Sequence, residues 1–384
     1  MRTVYMDHSA TTPIKPEVLE KMTQTLRDLY GNPSSIYEVG QRAKVCMEEA
    51  RGHLASLIGA DPSEIYFTSS GTEADNWAVH IAKKTKPGKH IITTSIEHHA
   101  ILHTMGAAEK EGYDVTYLPV DRYGLIDLKE LENAIRDDTI LISVMYVNNE
   151  IGTIMPVKEV GAIAKKHGIL FHTDGVQALG NVSLDMASSS IDMMSMSAHK
   201  IYGPKGVGAL FIRRGVRTVP FIHGGAQERR KRAGTENVPG IVAFGEAARL
   251  AGAHLEEHVE RLTALRERLK EGLMQIPESY FNGHPTKRHP GNVNMCFKYI
   301  EGESMLLLLD AVGISASSGS ACTSGSLDPS HVLMGIGLSH EIAHGSLRLT
   351  LGDFTTEEDV DYVVEHLPKI IERLREMSPL TPQE

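Results

Sequence analysis

The residues able to do chemistry fall in a few short stretches of this 384-residue chain. Ser197-Ala198-His199-Lys200 runs into the turn Tyr202-Gly203-Pro204-Lys205-Gly206. A lysine presented at such a turn can form a Schiff base with a carbonyl compound. His172-Thr173-Asp174-Gly175-Val176-Gln177 ends an apolar run. A carboxylate there either holds a protonated ring nitrogen or caps a helix. Ser69-Ser70-Gly71-Thr72-Glu73 stands between a strand-like segment and a helical pattern. Open N–H groups at that helix start suit a phosphate, and the same residues also suit plain capping. Neither a Walker lysine nor G-x-G-x-x-G is present to narrow the choice. Glu97-His98-His99 ends another strand-like run, where a histidine can stack on a ring and move protons, or lie at the surface. Cys322 sits in Ser317-Ser318-Gly319-Ser320-Ala321-Cys322-Thr323-Ser324-Gly325-Ser326, a run with nothing to bury a thiol. A thiol on a Gly/Ser tether is either a nucleophile that must travel or an incidental exposed cysteine.

Taken together, a lysine, an acid, an anion site and a thiol are the parts of a pyridoxal phosphate (PLP) site with a sulfur nucleophile beside it. Lys200 is expected to carry the cofactor. Cys46, on a helical pattern, and Cys296, in an alternating strand, read as packing residues. His340-Glu341-Ile342-Ala343-His344 matches the zinc-protease pattern H-E-x-x-H. That chemistry needs a longer helix, a third ligand and an open water site, whereas Gly345 and a strand-like Ser346-Leu347-Arg348-Leu349 follow at once. No zinc site is expected there, and His99 and His103 are expected on a solvated helix face.

The elements that must position these groups alternate. Strand patterns at 65–68, 90–94, 115–118, 140–144, 169–172, 193–196 and 208–212 are separated by helical patterns at 71–84, 99–110, 128–135 and 157–166. Helices at 16–29 and 41–58 precede them. This rhythm predicts an α/β fold with a mostly parallel central sheet flanked by helices. Ligand groups gather at the carboxyl ends of strands in such sheets, where the polar clusters fall. A continuous helix is expected over 239–275, and a smaller α+β unit after it. The expected division is a large cofactor-binding unit over 14–255 and a small α+β unit of 1–13 and 256–384, carrying a mobile cysteine loop at about 317–330.

Composition sets the bounds. The chain has enough residues for two or three units of roughly 150 each, and its 41% hydrophobic and 23% charged content is that of a globular protein. A net charge of −10 argues against a nucleic-acid surface. No run reaches the ~20 apolar residues of a membrane span, and Asp7 and His8 interrupt any signal-peptide core. Three scattered cysteines make no disulfide framework, and a cytoplasmic, reducing setting is expected.

The stretches above, with Ser9-Ala10-Thr11-Thr12-Pro13, Gly31-Asn32-Pro33-Ser34-Ser35, Val147-Asn148-Asn149-Glu150-Ile151-Gly152 and Arg232-Ala233-Gly234-Thr235-Glu236-Asn237, resemble the cysteine desulfurases of the NifS/IscS type. These are class V aminotransferase-like, fold-type I PLP enzymes. The resemblance spans essentially the whole chain, and Ser317 to Ser324 is its most specific motif, similar to the longer-loop group that serves iron–sulfur assembly. It implies that Lys200 binds PLP and shuttles the substrate α-proton. It implies that Asp174 pairs with the pyridine nitrogen and Gln177 with the ring hydroxyl oxygen. His98 would stack on the ring, while Gly71, Thr72, Ser197 and His199 would hold the phosphate, with Thr235 supplied by the other subunit of a homodimer. Asn149, also counted among the cofactor-binding residues, and Arg348 would hold the substrate carboxylate. Cys322 would take sulfur from L-cysteine as a persulfide, leave L-alanine, and deliver the sulfur to an iron–sulfur scaffold protein. Its thiolate is also a fitting transient ligand for the cluster being built. Gly175 stands where Ala is common and His8 where Tyr or Asn is common. Another class V PLP enzyme, an aminotransferase or a lyase acting on selenocysteine, would keep Lys200 and Asp174 but have no need of Cys322. A non-catalytic binding subunit would need none of them.

Overall fold

The computed structural model describes residues 2–318 and 329–379. Cys322 and the core of the expected mobile loop lie outside the described residues. The strands, in chain order, are β1 (Val4–Tyr5), β2 (Ile65–Thr68), β3 (His90–Thr94), β4 (Asp114–Leu118), β5 (Thr139–Ser143), β6 (Leu170–Asp174), β7 (Met193–Ser197), β8 (Gly208–Ile212), β9 (Ser279–Phe281), β10 (Asn292–Phe297), β11 (Ile314–Ser315) and β12 (Ser346–Thr350). A seven-stranded sheet has the order β2-β8-β7-β6-β5-β3-β4. β4, β3, β5, β6 and β7 run parallel, while β8 is antiparallel to both β7 and β2. The fold is α/β with a mostly parallel central sheet, as the alternation predicts.

β3, β5, β6, β7 and β8 are buried at every position, which is why they read as unbroken apolar or small-residue runs. Helices lie on both faces. In order they are α1 (Pro16–Asp28), α2 (Glu38–Leu57), α3 (Gly71–Thr85), α4 (His99–Lys110), α5 (Leu128–Asn133), α6 (Val157–His167), α7 (Gln227–Arg230), α8 (Val238–Ala253), α9 (Leu255–Leu273), α10 (Gly302–Ala311), α11 (His331–Gly335), α12 (His340–His344) and α13 (Glu357–Met377). Trp77, Ile81 and Met105, from α3 and α4, pack with Ile91, Leu141 and Leu210 on one face. Leu54, Val160 and Phe244, from α2, α6 and α8, pack with Ile142 and Phe171 on the other. Helix ends follow local chemistry. Ser70 caps α3 by accepting from Glu73 N–H, and Thr356 and Asp359 form a capping box at α13. α6 stops where Gly168 turns left-handed at φ 68°.

The expected continuous helix over 239–275 is two helices. His254 adopts φ −125° and ψ 16°, outside helical values, and α9 restarts at Leu255. Gly252, with its weak helix propensity, stands just before the break. Beyond it, β12, β10 and β9 form an antiparallel sheet whose apolar face packs on α9 and α13 through Leu265, Leu269, Met295, Leu349 and Leu367. The N-terminal segment joins that region, since β1 pairs with β11 and Asp7 bridges to Thr350.

Candidate active site

A cavity of ≈ 300 Å³ opens at the carboxyl ends of β2, β6 and β7. Gly71, Thr72, His98, Asn149, Asp174, Gln177, Ser197, His199, Lys200 and Arg348 all line it. These ten residues span the chain from position 71 to 348, and the sheet topology brings them together.

Lys200 lies in the 3-10 turn that directly follows β7, so the strand end fixes its backbone. Its Nζ donates to the carbonyl of Ser9 and, at 2.8 Å, to that of Ala10. The surrounding segment is strapped across this turn. Thr12 N–H donates to His199 O at 3.0 Å, His199 Nδ1 is 3.1 Å from Thr11 Oγ1, and Tyr202 N–H donates to Thr12 Oγ1 at 2.9 Å. Gln177 Nε2 also donates to Ser9 O, at 3.0 Å. The sequence showed a run of small residues here but no role for it, because the groups used are main-chain carbonyls.

Asp174 is the last residue of β6, and its Oδ1 accepts from Val176 N–H at 2.9 Å. Burial raises its carboxyl pKa, while the Val176 N–H and the Lys200 ammonium oppose the rise. Gly175 follows under tight packing. A Cβ there would lie 2.6 Å from Met194 Cγ, so Met194 fills the space an alanine would use. Behind the strand ends, His172 Nδ1 is 2.9 Å from Ser143 Oγ and its Nε2 is 2.9 Å from Ser195 Oγ. Burial pushes His172 down to about 3, so the ring is neutral. Asp75, one turn along α3 from Gly71, also lines the cavity. The signal available for it was an acid on a helix face otherwise made of Ala74, Trp77 and Ala78.

At the far end, α3 points its N-terminus into the cavity. A Cβ on Gly71 would lie 2.7 Å from Val176 Cγ2, so only a bare backbone fits this approach. Ser197 and His199 face it from β7 and the turn beyond. Burial and the nearby Lys200 lower His199 to about 4, which leaves a neutral ring.

His98 is the N-cap of α4, and its Nδ1 accepts from Ala100 N–H at 3.2 Å. Burial, then the Lys200 and His99 charges, lower it to about 4. The neutral ring therefore carries its proton on Nε2. Asn149 sits in a turn that Asn148 pins, its Oδ1 accepting from Glu150 N–H and Ile151 N–H at 2.9 Å each. Arg348, in β12, donates to Asn149 O at 3.0 Å and to Asp7 Oδ1 at 2.9 Å. Its Nε is buried without a hydrogen-bond partner.

Two expected residues are not among this lining. Thr235 is exposed and does not line the cavity, although Arg232 of the same motif pairs with Glu73 of α3 at 2.7 Å. Cys322 lies outside the described residues, but its flanks abut the site. Arg348 N–H donates to Ser317 O at 2.6 Å, and Ser330 Oγ donates to the Glu150 carboxyl. His99 is half-buried, with its ring edge-on to His103 and to His331 at centroid distances of 5.2 and 4.9 Å. It is therefore only partly the solvated face expected of it, because α11 packs over it. His340 to His344 is a five-residue helix, and no group of three or more potential metal ligands occurs among the described residues. His8 is buried against Tyr5, and its Nδ1–H donates to Thr350 O at 2.8 Å, outside this cavity.

The donor set fits PLP. It has backbone N–H groups and a hydroxyl for a phosphate, a carboxylate for a ring nitrogen, a lysine on the same cavity, and an unpaired guanidinium N–H for a substrate carboxylate. The comparisons with known proteins agree. The aminotransferase class-V family model matches residues 4–363. A cysteine desulfurase IscS of Methanosarcina thermophila is 59% identical over 386 residues, covering 100% of this chain and 95% of its own length. A cysteine desulfurase IscS of Clostridium botulinum is 56% identical over 383 residues, covering 98% and 96%. Among solved structures, a NifS-like protein superposes with a TM-score of 0.92 at 40% identity, covering 97% of this chain and 100% of its own.

Proposed function

We propose, for a chain that belongs to the class-V aminotransferase family, the residue-by-residue route by which it works as a PLP-dependent cysteine desulfurase. The observation that carries the reading is the convergence of Lys200, Asp174, Gly71 and Arg348 on one cavity. When bound, PLP supplies an electron sink for the pair left on the substrate Cα as its proton departs.

Lys200 would hold the cofactor, its Nζ set by the Ser9 and Ala10 carbonyls, and moves the α-proton at Nζ. Asp174, anionic, would keep the ring nitrogen protonated, and Gln177 would face the ring oxygen. The α3 N-terminus, Ser197 and His199 would grip the phosphate. His98, with its proton on Nε2, would stack on the ring. Arg348 and Asn149 orient the cysteine carboxylate, whose charge a guanidinium matches in plane. Cys322 Sγ, as thiolate, attacks the substrate sulfur. The S–S bond forms as the substrate Cβ–S bond breaks, the pair of that bond stays on Cβ, Cβ takes up a proton, and alanine leaves. The attachment of Ser317 to Arg348 and of Ser330 to Glu150 supports this role, since both flanks of the cysteine segment meet the carboxylate end of the cavity.

The persulfide passes to an iron–sulfur scaffold protein, and Cys322 serves as a transient cluster ligand there. The enzyme works as a cytoplasmic homodimer. An exposed Thr235, and exposed Leu26, Tyr30, Ile36 and Tyr37 on one end of the chain, support a second copy. No helix of the described residues is long and apolar enough to cross a membrane. The chain divides at residue 255 into a cofactor-binding unit and a small unit that includes residues 1–13. The helix break at His254 and the separate apolar cluster around β10 support that division.

The test pairs Cys322→Ala with Lys200→Ala. Cys322→Ala is expected to keep the cofactor absorbance but lose sulfide release from cysteine under reducing conditions, and Lys200→Ala to lose the native absorbance. Sulfide release by Cys322→Ala at the wild-type rate would sink the persulfide route.

A further inference from the structure

Two carboxyl groups share the floor of the cavity, and their surroundings are unequal. Asp174 accepts from Val176 N–H at 2.9 Å and feels the Lys200 ammonium. Asp75 is 1% exposed, and its Oδ1 has no hydrogen-bond partner. The Ser195 hydroxyl also bears on its carboxyl. The basic group nearest to it is His172, whose Nε2 lies 3.6 Å from Asp75 Oδ1 and whose ring burial keeps neutral. The remaining titratable groups bearing on Asp75 are acids, Asp174 from β6 and Glu97 from the end of β3. A second buried anion beside Asp174, with no cation of its own, is the arrangement proteins avoid by keeping a proton.

We propose that Asp75 is held as a neutral carboxylic acid, a positioning residue that leaves Asp174 as the single ionised carboxylate beneath the cofactor ring. The inference rests on the PLP reading of the cavity only for the word cofactor. The hydrogen-bond geometry then takes one direction. Asp75 O–H donates to Ser195 Oγ, Ser195 O–H donates to His172 Nε2, and His172 Nδ1–H donates to Ser143 Oγ. The last two links are 2.9 Å each. An ionised Asp75 would reverse every bond and move the imidazole proton to Nε2. Burial, then the Asp174 and Glu97 charges, push the Asp75 carboxyl well above the usual carboxylate range, outweighing the Ser195 hydroxyl, which pulls it down. The consequence is that the negative charge is fixed on Asp174, the group that would hold the ring nitrogen, and is not shared across the floor.

Infrared spectroscopy of protein carrying carboxyl-¹³C aspartate tests this in both the PLP-free and PLP-loaded forms. Isotope shift separates aspartic acid from any protonated glutamate. A protonated aspartyl carbonyl band is expected at neutral pH in the wild type and in Asp174→Asn, and is expected to vanish in Asp75→Asn. The ¹⁵N shifts of His172, assigned by its absence in His172→Gln, are expected to show the Nδ1–H tautomer. Asp75→Asn, whose amide can donate to Ser195 as the acid does, is expected to hold PLP within about twofold of wild type, while Asp174→Asn loses it far more severely. A wild-type spectrum without the aspartic acid band overturns the proposal even if no variant folds. So does a band lost in Asp174→Asn but kept in Asp75→Asn. Failure of the wild type to take up PLP would instead overturn the reading of the cavity, since the PLP-free spectrum stands independently.

Discussion

Replacing Gly71 by alanine measures how closely α3 must approach the strand ends. The added Cβ would lie 2.7 Å from Val176 Cγ2 and 3.7 Å from Ser197 Cβ. The first distance is inside van der Waals contact, and Val176 has little freedom, because its N–H is held by Asp174 and its side chain is β-branched. Overpacking of this kind costs about 1–3 kcal/mol. If the helix end backs away, the whole cost falls on the phosphate grip, and PLP affinity drops about 5- to 150-fold. If the helix holds its place, the cost falls on the PLP-free fold. Two measurements separate these outcomes: urea unfolding of the PLP-free protein and a fluorescence titration with PLP. Val176→Ala removes the struck methyl, so the double variant is expected to recover most of whichever loss is seen, a coupling that contact alone explains. Gly71→Ala with unchanged stability and unchanged PLP affinity would refute the reasoning, and so would a loss that Val176→Ala does not recover.

Arg348→Lys gives up the planar fork and the bond to Asn149 O. It is expected to lower kcat/KM for cysteine about 10- to 150-fold, as for loss of a charged hydrogen bond, with the cofactor spectrum unchanged; a change in spectrum instead would place Arg348 at the cofactor and not at the substrate. Glu97 is fully buried, with Oε1 accepting from Thr94 and Met145 N–H and Oε2 unpartnered, and burial pushes its carboxyl up to about 8. The folded state therefore binds a proton that the unfolded chain lacks between the ordinary glutamate value and about 8. That stability is complete at the acid end and fades as pH rises through the window, by at most about 1.4 kcal/mol per pH unit. Glu97→Gln is expected to flatten this fall in urea melts from pH 6 to 9, and an unaltered slope would show that the proton resides elsewhere.

The parts legible from sequence are those whose side chains reveal their surroundings. The run Thr139 to Ser143 is buried throughout and reads as a strand, and Glu357 to Met377 shows one apolar face with a capping box before it. Lys200, Asp174 and Gly71 were legible because a strand end or helix start makes their types unusual. The break at His254 was not, since no proline marks it and the apolar spacing continues into α9. β1 and β11, two residues each, are too short for any period to show. Asp75 was hidden inside a helix that reads as ordinary packing. Its meaning comes from Ser195 and His172, on strands more than 90 positions away.

The segment from Asp7 to Thr12 shows most plainly why the site exceeds its side chains. Asp7 pairs with Arg348, the Ser9 and Ala10 carbonyls hold Lys200, Thr11 contacts His199, and Thr12 N–H bonds His199 O. Its preceding residues join β1 to β11, and Ser9 N–H reaches Thr350 Oγ1 at 2.9 Å. Arg348 belongs to the antiparallel sheet and Lys200 to the carboxyl end of β7 in the seven-stranded one, so nothing in either sheet alone sets the distance between them. Six consecutive residues do so, largely through main-chain atoms. In a reaction that must hold a carboxylate at one point and deliver a proton at another, that spacing is part of the catalyst, because misplacing the reacting atom by an ångström costs about 100-fold.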